Sequence, residues 1–215
     1  RKLDKYMDHV LVHTGQNYDY ELNQIFFDDL DLRKPDYVLD AKGTPCETIG
    51  KIFMSLDPIL EKEKPDALLV LGDTNSCLSV IVAKLRKIPI FHIEAGNRCF
   101  DQRVPEEVNR KIVDHVSDMN LVYSEAERLN LLREGQPADR IIKVGAPMKE
   151  VLDYYRSKID SSDILDTLNL KSGDYFVFSC HRQENVEPEG KFLAMVGVLD
   201  KLAKSYGKRI IFTTH

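Results

Sequence analysis

Residues 67–76, ALLVLGDTNS, indicate the fold class, because an apolar run ends there in a turn of glycine, acidic, amide and hydroxyl residues. Residues 90–98, IFHIEAGNR, repeat the pattern, and a helical segment over 75–86 connects the two. A strand, a helix and a second strand in this order predict a βαβ unit and a parallel sheet. The alternation extends over further apolar runs at 10–13, 120–123 and 141–144 and further helical segments at 46–63, 106–116, 125–134 and 148–156.

The same alternation predicts an α/β protein of two parallel-sheet domains. Residues 1–157 form the first domain, which begins in what reads as the tail of a helix, and the polar stretch 158–174 forms a linker. Residues 175–215 open a second domain with a strand, a helix and a strand. One βαβ unit buries too little surface to be stable alone, so we expect the second domain to be incomplete in this chain.

Composition favours a small-molecule partner. The 215 residues are 43% hydrophobic and 30% charged with a net charge of -5, and dispersed Lys and Arg residues indicate neither nucleic-acid nor membrane-surface binding. Four widely separated cysteines indicate neither a zinc site nor a disulfide framework. No run approaches the roughly 18 apolar residues of a membrane span, and no signal peptide opens the chain. We therefore expect a cytoplasmic protein without a metal or a cofactor.

Polar residues cluster where the predicted strands end, which is where open α/β sheets bind ligands. These loops are residues 14–17, 72–76, 94–98, 124–125, 145–147 and 181–185. Gly72 and Gly96 would let a ligand approach the backbone, and a helix starting near Asn75 could hold a diphosphate at its N-terminus. The alternative is that Asp73, Thr74 or Asn75 merely caps that helix.

Glu94 follows a mainly apolar strand, so its carboxylate is expected at the sheet edge, where it could act as a general acid or base. The alternative is a loop carboxylate paired with Arg98 or Arg110. Glu106 and Glu107 open a helix directly after a proline, where acids are expected from capping and dipole effects alone.

His181 and Arg182 follow the first strand of the second domain, and this pair suits a pyrophosphate or proton transfer. The alternative is an ordinary loop histidine. The chain has no G-x-G-x-x-G, no P-loop and no G-x-S-x-G motif, which disfavours a nicotinamide dehydrogenase, a P-loop nucleotidase and a serine hydrolase. Two α/β domains with acids and bases at their strand ends suggest a sugar-nucleotide enzyme.

Four blocks of sequence make the suggestion specific: LGDT at 71–74, HIEAGNR at 92–98, PEEVNR at 105–110 and HRQEN at 181–185. In this order they resemble the signature blocks of the non-hydrolysing UDP-N-acetylglucosamine 2-epimerases of bacteria. The resemblance implies two Rossmann-like domains of the glycosyltransferase-B type, the second binding UDP, and a homodimer. It also implies inversion at C2 of a UDP-linked 2-acetamido sugar by elimination and re-addition of UDP.

Matched position by position, the resemblance assigns catalytic roles to Asp73, Glu94, Glu106 and His181. It assigns substrate binding to a second set of residues: Gln16, Thr74, Arg98, Arg110, Arg182, Glu184 and Asn185. The family's opening strand with its Gly-Thr-Arg-Pro-Glu turn has no counterpart here, so this chain alone is expected to be inactive.

Two segments depart from the commonest form of the family, QNYDY at 16–20 and NRCFD at 97–101. They resemble the branch that acts on modified UDP-2-acetamido sugars for capsule or O-antigen synthesis. Two alternatives stay open: a UDP-sugar glycosyltransferase of the same fold, and a sugar-nucleotide sensor without catalysis.

Overall fold

The computed structural model describes residues 2–15, 24–180 and 189–213. The chain divides into two compact units, Arg1–Pro147 and Met148–His215. Both units combine helices with parallel strands, so the predicted α/β class is confirmed.

The first unit contains six described strands and six described α-helices. The strands are β1 Val12–His13, β2 Tyr37–Val38, β3 Leu68–Leu71, β4 Ile90–Ile93, β5 Met119–Val122 and β6 Ile141–Lys143. The helices are α1 Lys2–Tyr6, α2 Gln24–Asp29, α3 Pro45–Glu63, α4 Val80–Leu85, α5 Pro105–Val116 and α6 Glu125–Arg133. Two short 3₁₀ turns cover Asn75–Ser79 and Ala138–Arg140.

A four-stranded parallel sheet in the order β3-β4-β5-β6 forms the centre of this unit. His92 of β4 lies between Val70 of β3 and Asn120 of β5. Strands β1 and β2 form a separate parallel pair. Because sequential strands pair in parallel, the loops that follow β3, β4 and β5 lie at one edge of the sheet.

The helix predicted over 75–86 is wrong in its first part, which is a 3₁₀ turn that passes into α4. The Cys77 N–H donates to the Thr74 carbonyl at 2.9 Å, three residues back, which is the 3₁₀ pattern. The other strands and helices predicted in the first unit are present, with ends that differ by one or two residues.

Helix α3 shows why this sequence forms these elements. Thr44 and Glu47 form a reciprocal capping box, and Pro45 occupies the first turn, where its missing N–H costs nothing. Four residues at a spacing of four face the interior: Thr48, Ile52, Leu56 and Leu60. The last two pack with residues of α4 and β4 in the main hydrophobic core.

The second unit contains three short helices, then a parallel βαβ arrangement. The elements are α7 Met148–Tyr154, α8 Arg156–Asp160, α9 Ile164–Thr167, β7 Tyr175–Ser179, α10 Glu189–Tyr206 and β8 Arg209–Thr213, with β7 parallel to β8. The sequence placed the boundary after residue 157, with a linker over 158–174, whereas the units divide between Pro147 and Met148. The stretch predicted as a linker contains the end of α8 and all of α9, and α7 packs against α8.

In the described ranges, no helix combines the length and the apolar character needed to cross a bilayer.

Gly96, directly after β4, tests the packing of α6 against the sheet edge. Its φ is +81°, and a Cβ there would lie 2.5 Å from the Glu127 carbonyl oxygen. We expect Gly96→Ala to lower the free energy of unfolding by about 2–4 kcal/mol, through strain and overpacking. Gly50→Ala in α3 is the matched control, because a Cβ there meets no atom within 4 Å.

The control should raise the free energy of unfolding by about 0.5–1 kcal/mol, because alanine is more favourable than glycine in a helix interior. Urea denaturation followed by circular dichroism measures both variants. Similar stabilities for the two would contradict the close approach of α6 to Gly96.

Candidate active site

Asp73 and Glu94 lie at the carboxyl ends of the neighbouring strands β3 and β4. A Cβ built on Gly72 would meet Glu94 Oε2 at 3.7 Å, so the Glu94 carboxylate faces the turn that carries Asp73. The two acids predicted from the first two loops therefore share one edge of the sheet.

The carboxylate of Glu94 is half-buried and carries little hydrogen bonding. Asn97 Nδ2 donates to Glu94 Oε1 at 3.1 Å, and no ion pair involves Glu94 in the part of the chain that the structure describes. The alternative of pairing with Arg98 or Arg110 is therefore wrong. The backbone φ of Glu94 is +70°, a left-handed conformation that costs about 1–2 kcal/mol in a residue with a side chain.

Asp73 is held by Arg110 from α5. The guanidinium Nη2 lies 2.7 Å from Asp73 Oδ2, and the two side chains are 11% and 23% exposed. Arg110 Nη1 also lies 3.3 Å from Glu107 Oε2. Glu106 is four residues before Arg110, and side chains at this spacing share a helix face. The structure thus brings Asp73, Glu94 and Arg110 to one edge, with Glu106 at the start of the same helix.

Glu106 is half-buried, and its carboxylate takes part in no hydrogen bond or ion pair within residues 2–15, 24–180 and 189–213. The neighbouring Glu107 is fully buried and accepts hydrogen bonds from the backbone N–H groups of Cys99 at 3.0 Å and Phe100 at 3.2 Å. Phe100 has a φ of +58°. Glu107 therefore holds the loop before α5, a role that the capping argument missed.

The loop after β3 is tied to its neighbours. Thr74 is exposed, and its side chain does not cap the following 3₁₀ turn, so the capping alternative is not supported for this residue. Asn109 Nδ2 donates to Asn75 Oδ1 at 3.1 Å. The Ser76 hydroxyl lies 2.7 Å from the Thr14 hydroxyl, in the loop after β1. These contacts hold the loop that carries Asp73 and Thr74.

The buried thiol of Cys77 lies below this loop, and its pKa is affected by the acids at the sheet edge. Burial, with the nearby Asp73 and Glu94 carboxylates, raises its pKa to about 11. The Sγ–H donates to the Leu71 carbonyl at 3.1 Å. The thiol is thus protonated at neutral pH and serves the packing below the loop.

Tyr123 is a further candidate for the site that the sequence did not predict, because it follows the strand next to β4. It follows β5 directly and is half-buried, and burial together with the Glu94 charge raises the pKa of its phenol. Its hydroxyl is therefore protonated at neutral pH, a potential donor near Glu94. The sequence predicted a strand that included residue 123. The strand ends at Val122, so Tyr123 belongs to the loop beside the end of β4.

Arg98 is not at the open edge. Its side chain is fully buried, with Nη1 2.7 Å from Asp114 Oδ2 and Nε donating to Glu134 Oε1 at 2.7 Å. Arg98 was predicted to contact substrate, but in the structure its guanidinium contacts Asp114 and Glu134. Gly96 likewise serves the packing of α6, so the expectation that its backbone is open to a ligand is wrong.

Five of the predicted site residues lie outside the described residues: Gln16, His181, Arg182, Glu184 and Asn185. In the remainder of the chain no group of three or more His, Cys, Asp and Glu side chains is arranged to hold a metal ion.

Comparison with known proteins identifies the family to which this chain belongs. The sequence profile described as UDP-N-acetylglucosamine 2-epimerase matches residues 1–215. The chain belongs to this family. UDP-N-acetylglucosamine 2-epimerase of Methanocaldococcus jannaschii is 36% identical over 214 residues, with 97% of this chain and 58% of the relative covered. UDP-2,3-diacetamido-2,3-dideoxy-D-glucuronate 2-epimerase of Pseudomonas aeruginosa is also 36% identical, covering 91% and 55%.

Solved structures of epimerases agree with this family membership. UDP-N-acetylglucosamine 2-epimerase from Rickettsia bellii superposes with a TM-score of 0.89 at 54% identity, covering 100% of this chain and 56% of that one. The Methanocaldococcus jannaschii enzyme in complex with UDP-GlcNAc and UDP gives 0.90 at 35% identity, covering 99% and 60%. The chain spans less than two thirds of the length of these epimerases.

The pH dependence of stability tests the buried carboxylate of Glu107. Burial alone would raise its pKa, but the N–H donors of Cys99 and Phe100 and the charge of Arg110 outweigh burial and hold the pKa below its ordinary value of 4.5. A lowered folded-state pKa means that this stabilisation is present above the unfolded value and is lost as pH falls.

We expect Glu107→Gln to lower the free energy of unfolding by about 1–3 kcal/mol at pH 7, with the difference shrinking below about pH 5. The control is Glu106→Gln, on the adjacent residue, which should change stability by less than about 0.5 kcal/mol. Urea denaturation measures the free energy of unfolding of both variants. The pH is varied from about 3 to about 7, a range that includes the ordinary pKa values of carboxylic acids. A difference that grows on acidification would contradict the assignment.

Proposed function

We propose that the protein is a non-hydrolysing isomerase that inverts C2 of a UDP-linked 2-acetamido sugar. The observation that carries this proposal is the facing pair of Glu94 and the Asp73 turn at one sheet edge, in a chain of the epimerase family. Relatives named as 2-epimerases support the same reaction.

The reaction explains why acids are needed. The C2 proton is not next to a carbonyl group, so simple deprotonation would be very slow. If a base removes the C2 proton while the C1–O bond to UDP breaks, a glycal and free UDP form. Protonation of C2 on the opposite face and re-addition of UDP at C1 give the epimer. The protein must therefore retain UDP and supply groups that move protons at C2.

Glu94 and Glu106 are the best candidates for proton transfer, because few or no protein groups in the described chain occupy their carboxylates. Asp73 is oriented by Arg110, so it is the best placed of the acids to make a directed contact. Thr74 next to it is exposed and proposed to bind substrate. His181 as a catalytic residue, and Gln16, Arg182, Glu184 and Asn185 as binding residues, remain part of the proposal.

The sugar itself is proposed only as a UDP-2-acetamido sugar used for cell-surface polysaccharide. Identity to a relative named for UDP-N-acetylglucosamine and to one named for a UDP-diacetamido-glucuronate is 36% in both cases. We further propose a cytoplasmic homodimer. The glycosyltransferase and sensor alternatives are not favoured, because the family profile covers the whole chain.

Proton NMR in deuterium oxide tests the reaction in a protein with the full length of its relatives. UDP-N-acetylglucosamine and the 6-deoxy and uronic acid forms are incubated in turn, and deuterium at C2 and the C2 epimer are followed. Exchange with a new epimer would identify the substrate. UDP binding without exchange of any of the three sugars would contradict the proposal and favour the transferase or the sensor.

Glu94→Gln tests the role of the half-buried acid. We expect turnover to fall by about two orders of magnitude or more, the usual effect of removing an acid or base, with UDP affinity kept. Glu61→Gln, on an exposed carboxylate of α3 that pairs with Arg86, is the matched control and should leave turnover unchanged. Unchanged turnover in the Glu94 variant would remove this residue from the mechanism.

A further inference from the structure

Two turns at the sheet edge carry the proposed acids, and both contain positive φ angles, which glycine adopts without strain but a residue with a side chain does not. Gly72, next to Asp73, has a φ of +79°, and Gly96, two residues after Glu94, has a φ of +81°. Glu94 itself has a φ of +70°. A side chain is held in this conformation only where surrounding contacts impose it. The structure should therefore contain a group that holds the Glu94 turn.

Asp114 of α5 is that group. Its carboxylate is fully buried and lies 2.9 Å from His92 Nδ1. It accepts the Gly96 N–H at 3.1 and 3.2 Å through its two oxygens, and Arg98 Nη1 donates to it at 2.7 Å. His92 lies two residues before Glu94 and Gly96 two residues after it, so one carboxylate contacts both sides of the turn.

The contact continues to the second turn through His92. Its Nε2 lies 2.8 Å from the Gly72 carbonyl oxygen, and a carbonyl can only accept, so this nitrogen donates. Asp114 is thus linked to the backbone of both turns, and Arg98 and Glu134 surround it on the other side. The whole arrangement lies beneath the candidate site and presents no group to solvent at Asp114, His92 or Arg98.

We propose that Asp114 is a positioning residue for the epimerase reaction, which sets the direction of the Glu94 carboxylate through the Gly96 N–H and His92. It touches no substrate. This inference rests on the proposed function, since it assigns Asp114 an effect on proton transfer by Glu94. The competing explanation is that Asp114 contributes only to stability.

Asp118 offers a matched control. Its carboxylate also contacts β4, but at the opposite end, where it accepts the Ile90 N–H at 2.9 Å and pairs with Lys84 at 2.6 Å. Asp118→Asn and Asp114→Asn therefore make the same chemical change in two carboxylates that contact the same strand, β4. Only the second reaches the Glu94 turn.

In the full-length protein, we expect Asp114→Asn to lower kcat by about 10²-fold, the scale of a misplaced catalytic group, with little change in the Kd for UDP. Asp118→Asn should leave kcat unchanged. Glycine labelled with ¹⁵N provides a second measurement that needs no turnover. The Gly96 amide resonance should move in Asp114→Asn, because a neutral amide with one acceptor oxygen replaces the carboxylate that accepts its N–H, and stay in place in Asp118→Asn.

An active wild-type protein whose Asp114→Asn variant keeps its kcat would overturn the positioning role, as would an unmoved Gly96 resonance. A wild-type protein that epimerises none of the three sugars would overturn the proposed function instead. If Asp114→Asn does not fold, His92→Gln replaces it, because that change weakens the link to Gly72 and spares the Gly96 and Arg98 contacts. A full kcat in His92→Gln would contradict the part of the inference in which Asp114 acts through His92.

Discussion

The buried carboxylate of Asp114 is the interaction on which the candidate site depends. A charge without exposure to water is tolerated only where other charges and N–H donors compensate it, and removing one partner of such a pair costs about 3–5 kcal/mol. Here Arg98, the Gly96 N–H and His92 surround it, and Glu134 balances the arginine. Because its partners come from β4 and the loop after it, Asp114 ties α5 to the turn at Glu94, and Arg98 extends these contacts to Glu134, directly after α6.

That compensation allows an unfavourable backbone where the chemistry needs it. The left-handed turn at Glu94 directs a half-buried carboxylate toward Gly72, whereas an extended strand would send alternate side chains to opposite faces of the sheet. Residues in strained conformations persist only when neighbours over-determine them, and they cluster at functional sites. Here the constraint comes from Asp114 of α5, which contacts His92 on one side of the turn and the Gly96 N–H on the other.

Periodicity was sufficient to predict the sheet and the loops at its edge, since strand residues and glycine turns are local signals. It could not predict that the side chain of Arg98 is buried, because its acidic partners lie 16 and 36 residues further along the chain. The contacts of Asp114 with His92 and Gly96 span 22 and 18 residues and are equally absent from local sequence patterns. Burial of charge is a property of the assembled unit, so a loop arginine and an internal one look alike in sequence.

Glu106 and Glu107 show how the structure separates chemically identical neighbours. Helix geometry turns the second into the interior, where two backbone N–H groups and Arg110 use its oxygens to hold the preceding loop. The first stays half-exposed with no such partners in the described chain. The same division separates Asp114 from Glu94. A carboxylate saturated with protein donors has little capacity left for a substrate proton, so the acids with few partners are the ones available for chemistry.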